Sequence, residues 1–542
     1  MKEAAKLRSL GELYIQRTCS DFPQWGSSSG FSSFEGRLAG SDVKTRSERN
    51  AFLEELLAET EALPGNALKG DDWLDRRCFL SLLRTELLNS RDIERWRTNP
   101  QECCDIAVGA IFELVIRYSD DLSKARQVIE SRLAAIPPFL KKGAEAIRFP
   151  IPLWTKLAER SARSAKIFVD TLGVTLATLS TDPAGKRRSI DLARRAASAF
   201  DDYAVAISKI KSGKRGGFSL GRERFEFLVR ERCGLDWSLE EIEAVGYRLI
   251  TKLSAELENE ARKHGRKSAK LILEGARDAW NPAESLMDLY TRSSQQWKNR
   301  VIECGLYPFP AGQSLKVMPV PDFMREHFPI AAYSSPGAFE RRQRGIFWVN
   351  DLGSTKHTPT AALREKRQHF GFELTCAHEG YPGHHLQFSI QNRHPSRIRR
   401  LCSHSIFYEG WTMWCEKMAV EQKWVTEPYA RLQQLHDALW RAWRIVIDVG
   451  LHSGNLTHEQ AAQMLVKGVG FTTARARTDV NWYTSQPSVP MSYLLGRLEL
   501  ERIKSRLVDK EGWSLRKFHD WVLSHGAVPW NWIWQARLHE RA

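Results

Sequence analysis

The sequence predicts a mainly α-helical protein with one small antiparallel β-sheet. Through most of the 542 residues, apolar side chains recur at the i, i+3, i+4 and i+7 positions of a helix. Two short runs rich in β-branched and aromatic residues, Leu315–Pro321 and Gly345–Asn350, break this pattern and are bounded by turn residues. We expect the two runs to pair as antiparallel strands beside the helix that follows them.

The first part of the chain contains helical patterns but no motif with recognisable chemistry. The pair Pro137-Pro138 and the prolines on either side of Ile151 separate these patterns. The basic, glycine-bearing stretch Ser212–Gly217 is the one candidate boundary. It predicts an N-terminal helical region, residues 1–212, and a second region, residues 213–542, packed together as one unit. The helices predicted in the first region are Glu48–Leu63, Trp73–Leu88, Ala125–Ile136 and Ile190–Ile207.

The second region predicts longer helices with clear start signals. Ser238 is a candidate N-cap, with Glu240 and Glu241 in the first helical turn. Another helix is expected directly after Asn281, because Pro282 suits a first helical position. The other predicted helices are Arg364–Gln391, Ser403–Lys423, Tyr429–Leu451, Ser492–Val508 and Leu515–Ser524.

The composition is typical of a soluble globular enzyme, with 42% hydrophobic and 27% charged residues. No window reaches 18 apolar residues and the first ten residues lack the apolar core of a secretory signal, so we expect a cytoplasmic protein without a membrane partner. The nine cysteines form no C-x-x-C pair, which argues against a disulfide scaffold. The net charge of +15 is interspersed with acidic residues and no nucleic-acid-binding motif appears, so no nucleic-acid partner is expected.

One stretch carries the chemistry: His378-Glu379, then a Gly-Tyr-Pro-Gly break, then His384-His385. The helical zinc motif H-E-x-x-H has its histidines four residues apart, but here that position is Pro382. In an unbroken helix the later imidazoles would lie about 9–10.5 Å along the axis from the first, too far to share one zinc ion. The proline and glycines therefore predict a kink or bulge that shortens the backbone.

Spacing alone leaves open which of the two later histidines would bind a metal. His385 lies seven residues after His378 and returns to nearly the same helix face. His384 is one residue nearer and needs less compression of the backbone.

The block His378-Glu-Gly-Tyr-Pro-Gly-His-His-Leu-Gln387 resembles the signature of the bacterial family called domain of unknown function 885. That family is considered related to the gluzincin zinc metallopeptidases, which include angiotensin-converting enzyme and thimet-type oligopeptidases. The resemblance covers nearly the whole chain, and it implies a gluzincin-like, two-lobed helical fold with a small antiparallel sheet beside the metal-site helix. Further matching stretches are Ala332–Pro336, Tyr408–Glu416, Asp448–His452, Ser492–Gly496 and Phe518–Pro529.

The resemblance also implies a Zn²⁺ ion held by His378, His384 and Glu409. The Gly-His of related peptidases aligns with His384, which would place His385 on the channel wall or behind the ligands. Glu409 follows His384 by 25 residues on a separate helix, as in the thimet-type relatives, among aromatic residues that make an unpaired carboxylate costly. Glu416, seven residues further along the same helix face, is the alternative third ligand.

The remaining candidates would assist the reaction. Glu379 is the candidate general base that activates water together with zinc. Tyr493 and Tyr483 lie in the stretch that supplies oxyanion-stabilising tyrosines in related peptidases, and burial as core aromatics is the alternative. Asp448 and His452 form an i, i+4 pair that would either orient the ligands or make a local helix hydrogen bond.

We therefore expect a zinc-dependent hydrolase that cleaves peptide or related amide bonds of short substrates. Two alternatives remain: a zinc enzyme of specialised metabolism with non-proteolytic chemistry, or a nucleic-acid- or protein-binding module with an inactive site. Trp482 and Val489 stand where the family commonly has an arginine and a glutamine. This departure predicts a weaker preference for substrates with a free carboxylate than in relatives, with apolar or capped substrates favoured instead.

Overall fold

The computed structural model describes residues 2–265, 268–321, 325, 330–351 and 359–541, and it confirms the mainly helical prediction. Helices account for 73% of the structure, and a three-stranded sheet accompanies them. No helix within these ranges is both long and apolar enough to cross a membrane.

The helices of the first half are α1 Lys2–Asp21, α2 Pro23–Ser28, α3 Val43–Glu61, α4 Gly70–Leu87, α5 Arg95–Thr98, α6 Pro100–Arg117, α7 Arg126–Ala146, α8 Pro152–Thr178, α9 Pro183–Ser208, α10 Arg222–Cys233, α11 Leu239–Arg262, α12 Ala269–Ala279 and α13 Leu286–Cys304. Those of the second half are α14 Pro359–Lys366, α15 Phe372–Glu379, α16 His384–Gln391, α17 Arg397–Leu401, α18 Ser405–Glu421, α19 Ala430–Ser453, α20 His458–Val469, α21 Thr473–Ser485, α22 Val489–Lys504, α23 Leu515–Ser524 and α24 Trp530–Arg541.

Side-chain caps fix the helix starts. Ser238 accepts a hydrogen bond from the Glu241 amide, and the Glu241 carboxylate accepts one from the Ser238 amide, which completes a capping box on α11. The start expected after Asn281 is wrong, because α13 begins at Leu286 behind Ser285. The Ser285 hydroxyl accepts from the Asp288 amide, and this hydrogen bond defines the helix start more strongly than a favourable proline position does.

The expected interruption at Pro137-Pro138 is also wrong, because α7 continues through both prolines to Ala146. Each proline removes one helical hydrogen bond. The helix is kept by burial of one complete apolar face, on which Leu133, Ile136 and Leu140 have at most 1% of their surface exposed.

The sheet differs from the prediction in its strand direction. It consists of β1 Gln313–Pro319, β2 Ala331–Ser334 and β3 Gln343–Val349 in the order β1-β3-β2. β1 and β3, the two expected strands, pair in parallel, with Leu315 opposite Gly345, whereas β2 pairs antiparallel to β3. The sheet is therefore mixed and not antiparallel. Parallel strands need a long connection, and the chain that joins β1 to β3 is long enough to contain β2 itself.

Buried apolar residues form two main clusters. One joins α1–α4 at the start of the chain to the helices and strands after residue 225. The other, from Cys104 to Ile207, is made mainly by α6–α9. The stretch Ser212–Gly217 lies in a loop between α9 and α10, and the division of the chain into two regions at this loop stays a prediction.

Candidate metal centre

The break between α15 and α16 brings two histidines together. α15 ends at Glu379 and α16 begins at His384, so the helix expected over Arg364–Gln391 is divided at the glycine–proline stretch. It is also divided between Lys366 and Phe372, where Gly371 has a positive φ. A Cβ on Gly383 would lie 1.9 Å from the carbonyl oxygen of His378, which only glycine permits. As a result, the rings of His378 and His384 lie 5.0 Å apart, between their centroids.

Glu409 reaches this pair from α18, a helix buried along most of its length. Its Oε2 lies 3.5 Å from His378 Nε2 and 3.6 Å from His384 Nε2. The position depends on a close crossing of α18 and α22, where a Cβ on Gly410 would come within 2.6 Å of Gly496 Cα. The three predicted ligands therefore meet in one place.

This cluster has the spacing of a zinc site. His378, His384 and Glu409 are 7–8% exposed, and one ligand atom from each lies within 4.8 Å of the others. Atoms about 2.0–2.2 Å from one zinc ion at tetrahedral angles are roughly 3.3–3.5 Å apart, close to the distances above. Glu409 Oε2 is buried and accepts no hydrogen bond from the described residues, so a buried anionic atom faces two imidazoles. The residues fit a metal ion.

Glu416 orients His378 from the opposite side of the ring. Its Oε1 lies 2.7 Å from His378 Nδ1, which directs the other ring nitrogen, Nε2, toward Glu409. Burial alone would lower the pKa of His378, but the neighbouring carboxylates of Glu409 and Glu416 raise it to about 10. A carboxylate behind a histidine is the usual outer partner of a metal ligand. Glu416, the alternative third ligand, therefore lies behind His378 and not in the ligand group.

His385 points away from this group and into the sheet. Its Nε2 lies 2.6 Å from Gln313 Oε1, and its Nδ1 lies 3.1 Å from the Tyr333 hydroxyl. Since the Gln313 oxygen only accepts, Nε2 of His385 carries the proton and Nδ1 accepts from Tyr333. Burial lowers the pKa of His385 to about 3, so the ring is neutral. Nothing in the sequence spacing pointed to Gln313 as its partner.

Glu379 and Tyr493 border the cluster. Glu379 follows His378 at the end of α15 and is partly exposed; none of the described residues donates a hydrogen bond to its carboxylate. The ring of Tyr493 stacks 6.3 Å from that of His378. Burial raises the pKa of Tyr493 well above its usual value and the Glu409 carboxylate adds to this, so the phenol keeps its proton.

Tyr483 is bound into a different network. Its hydroxyl accepts hydrogen bonds from Arg444 Nε at 3.0 Å and Trp440 Nε1 at 3.1 Å, and it donates to Asp479 at 3.2 Å. Arg444 in turn lies over the ring of Tyr493, with its Cζ 4.7 Å from the centroid. Tyr483 thus reaches the neighbourhood of the ligands through Arg444 and Tyr493.

Asp448 and His452 fasten the chain segments that carry the two tyrosines. Asp448 accepts from the amides of Ser488 and Met491 at the start of α22. His452 Nε2 lies 3.1 Å from the backbone oxygen of Tyr483 and 3.6 Å from Asp448. Burial raises the pKa of Asp448 to about 8, against the two backbone hydrogen bonds.

Two solved structures share the fold. One is of a candidate lipoprotein of unknown function from Shewanella oneidensis, with a TM-score of 0.77 and 19% identity over 98% of this chain and 99% of that one. The other is of a candidate lipoprotein from Colwellia psychrerythraea, with a TM-score of 0.80 and 17% identity over the whole of both chains. No curated protein matches the sequence.

A family model matches residues 23–536, which is far more than half of the chain. The protein therefore belongs to the family described as "Bacterial protein of unknown function (DUF885)".

Proposed function

We propose that this protein is a zinc-dependent hydrolase that cleaves peptide or related amide bonds in short substrates. The observation that carries the proposal is the buried group of His378, His384 and Glu409, with Glu409 Oε2 within 3.6 Å of both imidazoles. Two histidines and a carboxylate leave a fourth position open, as in catalytic zinc sites. A relationship to the gluzincin metallopeptidases, with their two-lobed arrangement, is part of the proposal.

The chain's own residues divide the remaining work. Zinc, when bound, acidifies water and polarises a carbonyl group. Glu379 takes the proton from the attacking water and returns it to the leaving amine, because its carboxylate is partly exposed and adjoins a ligand. Tyr493 donates from its protonated phenol to the negative charge that develops on the carbonyl oxygen. Tyr483 holds Arg444 against Tyr493 and so positions that phenol.

The edge strand β2 supports an extended substrate. β2 lies at one edge of the sheet, and the ring of its Tyr333 stacks on that of His384 with centroids 6.1 Å apart. An extended peptide can add to a strand edge through main-chain hydrogen bonds. A peptide bound along β2 would therefore pass beside the ligand group, which favours peptides over other amides.

Metal analysis and a variant of the base test the proposal. We expect about one zinc per purified chain. We also expect hydrolysis of members of a mixed short-peptide library, with the products detected by mass spectrometry. Glu379→Gln should keep the metal and lose hydrolysis, whereas Glu421→Gln, at an exposed position on α18, should keep both. Loss of the metal from Glu379→Gln, or full hydrolysis by the metal-free protein, would contradict the assignment.

The two alternatives have distinct outcomes. A metal-loaded protein that cleaves no peptide in the library, yet needs Glu379 to convert another small amide, would favour non-proteolytic chemistry. DNA binding that weakens steeply with salt would favour the binding module.

The cytoplasmic location expected from the sequence stays a prediction, and both solved relatives are described as candidate lipoproteins. Fractionation of the native cells, with detection of the chain in the soluble and membrane fractions, tests it.

A further inference from the structure

A second feature of the molecule is a cavity of about 460 Å³ between the first helices and the second half of the chain. Four arginines and two glutamates line it: Arg46, Arg49, Arg95, Arg232, Glu86 and Glu102. A volume of this size suits a small organic ligand. His404 also lines it, and burial lowers the pKa of that imidazole to about 4, so it adds no charge at neutral pH.

Two of the four arginines are matched by the two carboxylates. Arg49 donates to Glu86 through Nε at 2.8 Å and through Nη2 at 3.2 Å. Arg46 donates to Glu102 at 3.2 Å. These pairs leave the cavity with the charges of Arg95 and Arg232 in excess.

Arg95 and Arg232 have backbone partners in place of acidic ones. Arg95 donates to the carbonyl of Ser485, and Arg232 donates to that of Pro487 at 3.3 Å. Across the described ranges, no carboxylate lies within ion-pair distance of either guanidinium group. Burial lowers the pKa of Arg95, Glu102 opposes this shift, and the charge of Arg232 adds to it. Two like charges thus line the same cavity, an arrangement that an anion stabilises.

The cavity lies close to the candidate metal centre. Ser403 and His404 in its wall precede α18, and Gln486 and Pro487 precede α22. Glu409 and Tyr493 each lie four residues inside these helices, which is a rise of about 6 Å. The N-terminal ends of both helices therefore lie at the cavity, where their dipoles also favour negative charge.

Tyr408 connects the two places. Its ring lies 5.9 Å from that of His384, and the Ser403 hydroxyl and the Arg232 charge act on its phenol from the cavity side. One aromatic side chain thus separates the arginine pair from a proposed ligand.

We propose that the cavity binds a carboxylate of the substrate between Arg95 and Arg232, so that the hydrolase acts on short substrates with a free acid group. This inference rests on the proposed function. It is the reverse of the preference expected from Trp482 and Val489, because the guanidinium groups come from α5 and α10 and not from the segment where the family's arginine is replaced.

The test uses a matched pair of probes, acetyl-Ala-Ala with a free carboxylate and its C-terminal amide. Binding is measured by calorimetry with the full-length Glu379→Gln protein, so that neither probe is consumed. We expect the acid to bind at least tenfold more tightly than the amide, about 1.4 kcal/mol, and salt to weaken only the acid. Equal affinity for the two probes, or no saturable binding of the acid, would overturn the proposal.

Variants of the two arginines test whether these residues bind the carboxylate. Arg95→Gln and Arg232→Gln should each weaken binding of the acid at least tenfold and leave the amide unchanged. Arg97→Gln is the matched control, because Arg97 lies on the same short helix and pairs with Glu94. Unchanged binding of the acid by a folded Arg95→Gln protein would overturn the assignment, and the acid–amide comparison on the parent protein stands if a variant fails to fold. Metal content is measured separately, so that a failed metal centre and a failed carboxylate site give different results.

Discussion

Two parts of the molecule bury different kinds of side chain. One is the bundle of α6–α9, and the other is the group of α15, α16, α18 and α22. The bundle core consists of alanine, leucine, isoleucine and a few larger apolar residues. The second group buries His378, His384, Glu409 and Glu416, each at most 8% exposed. Between residues 104 and 207, all of which are described, Arg132 alone has buried side-chain nitrogens without a partner. In the second group, buried side-chain atoms without a partner occur on three of these four residues: His384 Nδ1, Glu409 Oε2 and Glu416 Oε2.

The difference separates stability from function. A buried polar group costs free energy unless it finds a partner. The bundle avoids that cost by burying apolar surface, whereas the second group gathers polar atoms whose remaining partner must come from outside the chain. The unsatisfied Glu409 Oε2, which lies within 3.6 Å of two imidazole nitrogens, thus indicates where a ligand binds.

The largest expected effect is on metal binding by the two adjacent histidines. His384→Ala should lower zinc affinity by on the order of a thousandfold, about 4 kcal/mol, because it removes one of three ligands. His385→Ala should keep zinc, since His385 bonds to Gln313 and Tyr333 instead. Competition with a chelator measures both affinities. If His384→Ala still bound zinc fully and His385→Ala lost it, the ligand would be His385 and not His384.

A substitution in the core of the bundle should lower stability and leave metal binding unchanged. Leu133→Ala, at a fully buried position of α7, should lower the free energy of unfolding by about 2–5 kcal/mol and leave the zinc content of the folded protein unchanged. Denaturant unfolding and metal analysis of the same preparation measure the two quantities. A drop in zinc content of the folded variant would show that the bundle and the metal centre are coupled.

A smaller effect on zinc affinity is expected from Glu416, which lies behind His378. Glu416→Gln keeps a hydrogen-bond acceptor for His378 Nδ1 but removes the charge, so zinc affinity should fall about 10–100-fold. Glu421→Gln on the same helix is the control, because Glu421 is exposed. If Glu416→Gln abolished binding as completely as His384→Ala, Glu416 would be a ligand and not an outer partner.

Different sequence signals predict the bundle and the ligands, and each signal leaves a definite part of the structure unpredicted. Periodicity and caps predict helices such as α9 and α11, but strand direction in the sheet depends on a connection that no local pattern reveals. The motif and its break predict His378 and one of the two later histidines, and the family resemblance implies His384 and Glu409. The pairing of Glu416 with His378 needs the angle between α15 and α18, so it does not follow from spacing.

The arginine pair lies furthest beyond sequence reasoning. Arg95, Arg232 and Pro487 come from three separate parts of the chain, and each residue alone is an ordinary helical or loop residue. Only the fold brings two cations together without an acidic partner among the described residues. Charge counting over the sequence, which gives +15, does not distinguish this pair from exposed arginines.

The last expected effect concerns loss of stability in acid through histidine protonation, which should arise outside the bundle because all 15 histidines lie at residue 264 or later. His519 is fully buried; its Nδ1 donates to the Leu306 carbonyl at 2.8 Å, and its Nε2 accepts from Trp414 at 3.1 Å. Burial lowers the pKa of His519 to about 4, whereas an exposed histidine titrates near 6.5. Between these pH values the unfolded chain binds a proton that the folded chain does not, so the free energy of unfolding falls as the pH is lowered.

The slope from this one residue is about 1.4 kcal/mol per pH unit below pH 6.5, and it levels off near pH 4. His519→Asn removes the titrating group, so its unfolding free energy should depend less steeply on pH by that amount, although the variant is less stable at pH 7. Denaturant unfolding at half-unit steps from pH 7 to pH 4.5 measures both slopes, and His264→Asn, at an exposed position after α11, is the control. Parallel profiles for the parent and His519→Asn would mean that His519 is protonated in the folded protein. The hydrogen bond from Trp414 would then have to be absent, since a protonated ring has no acceptor to offer that indole.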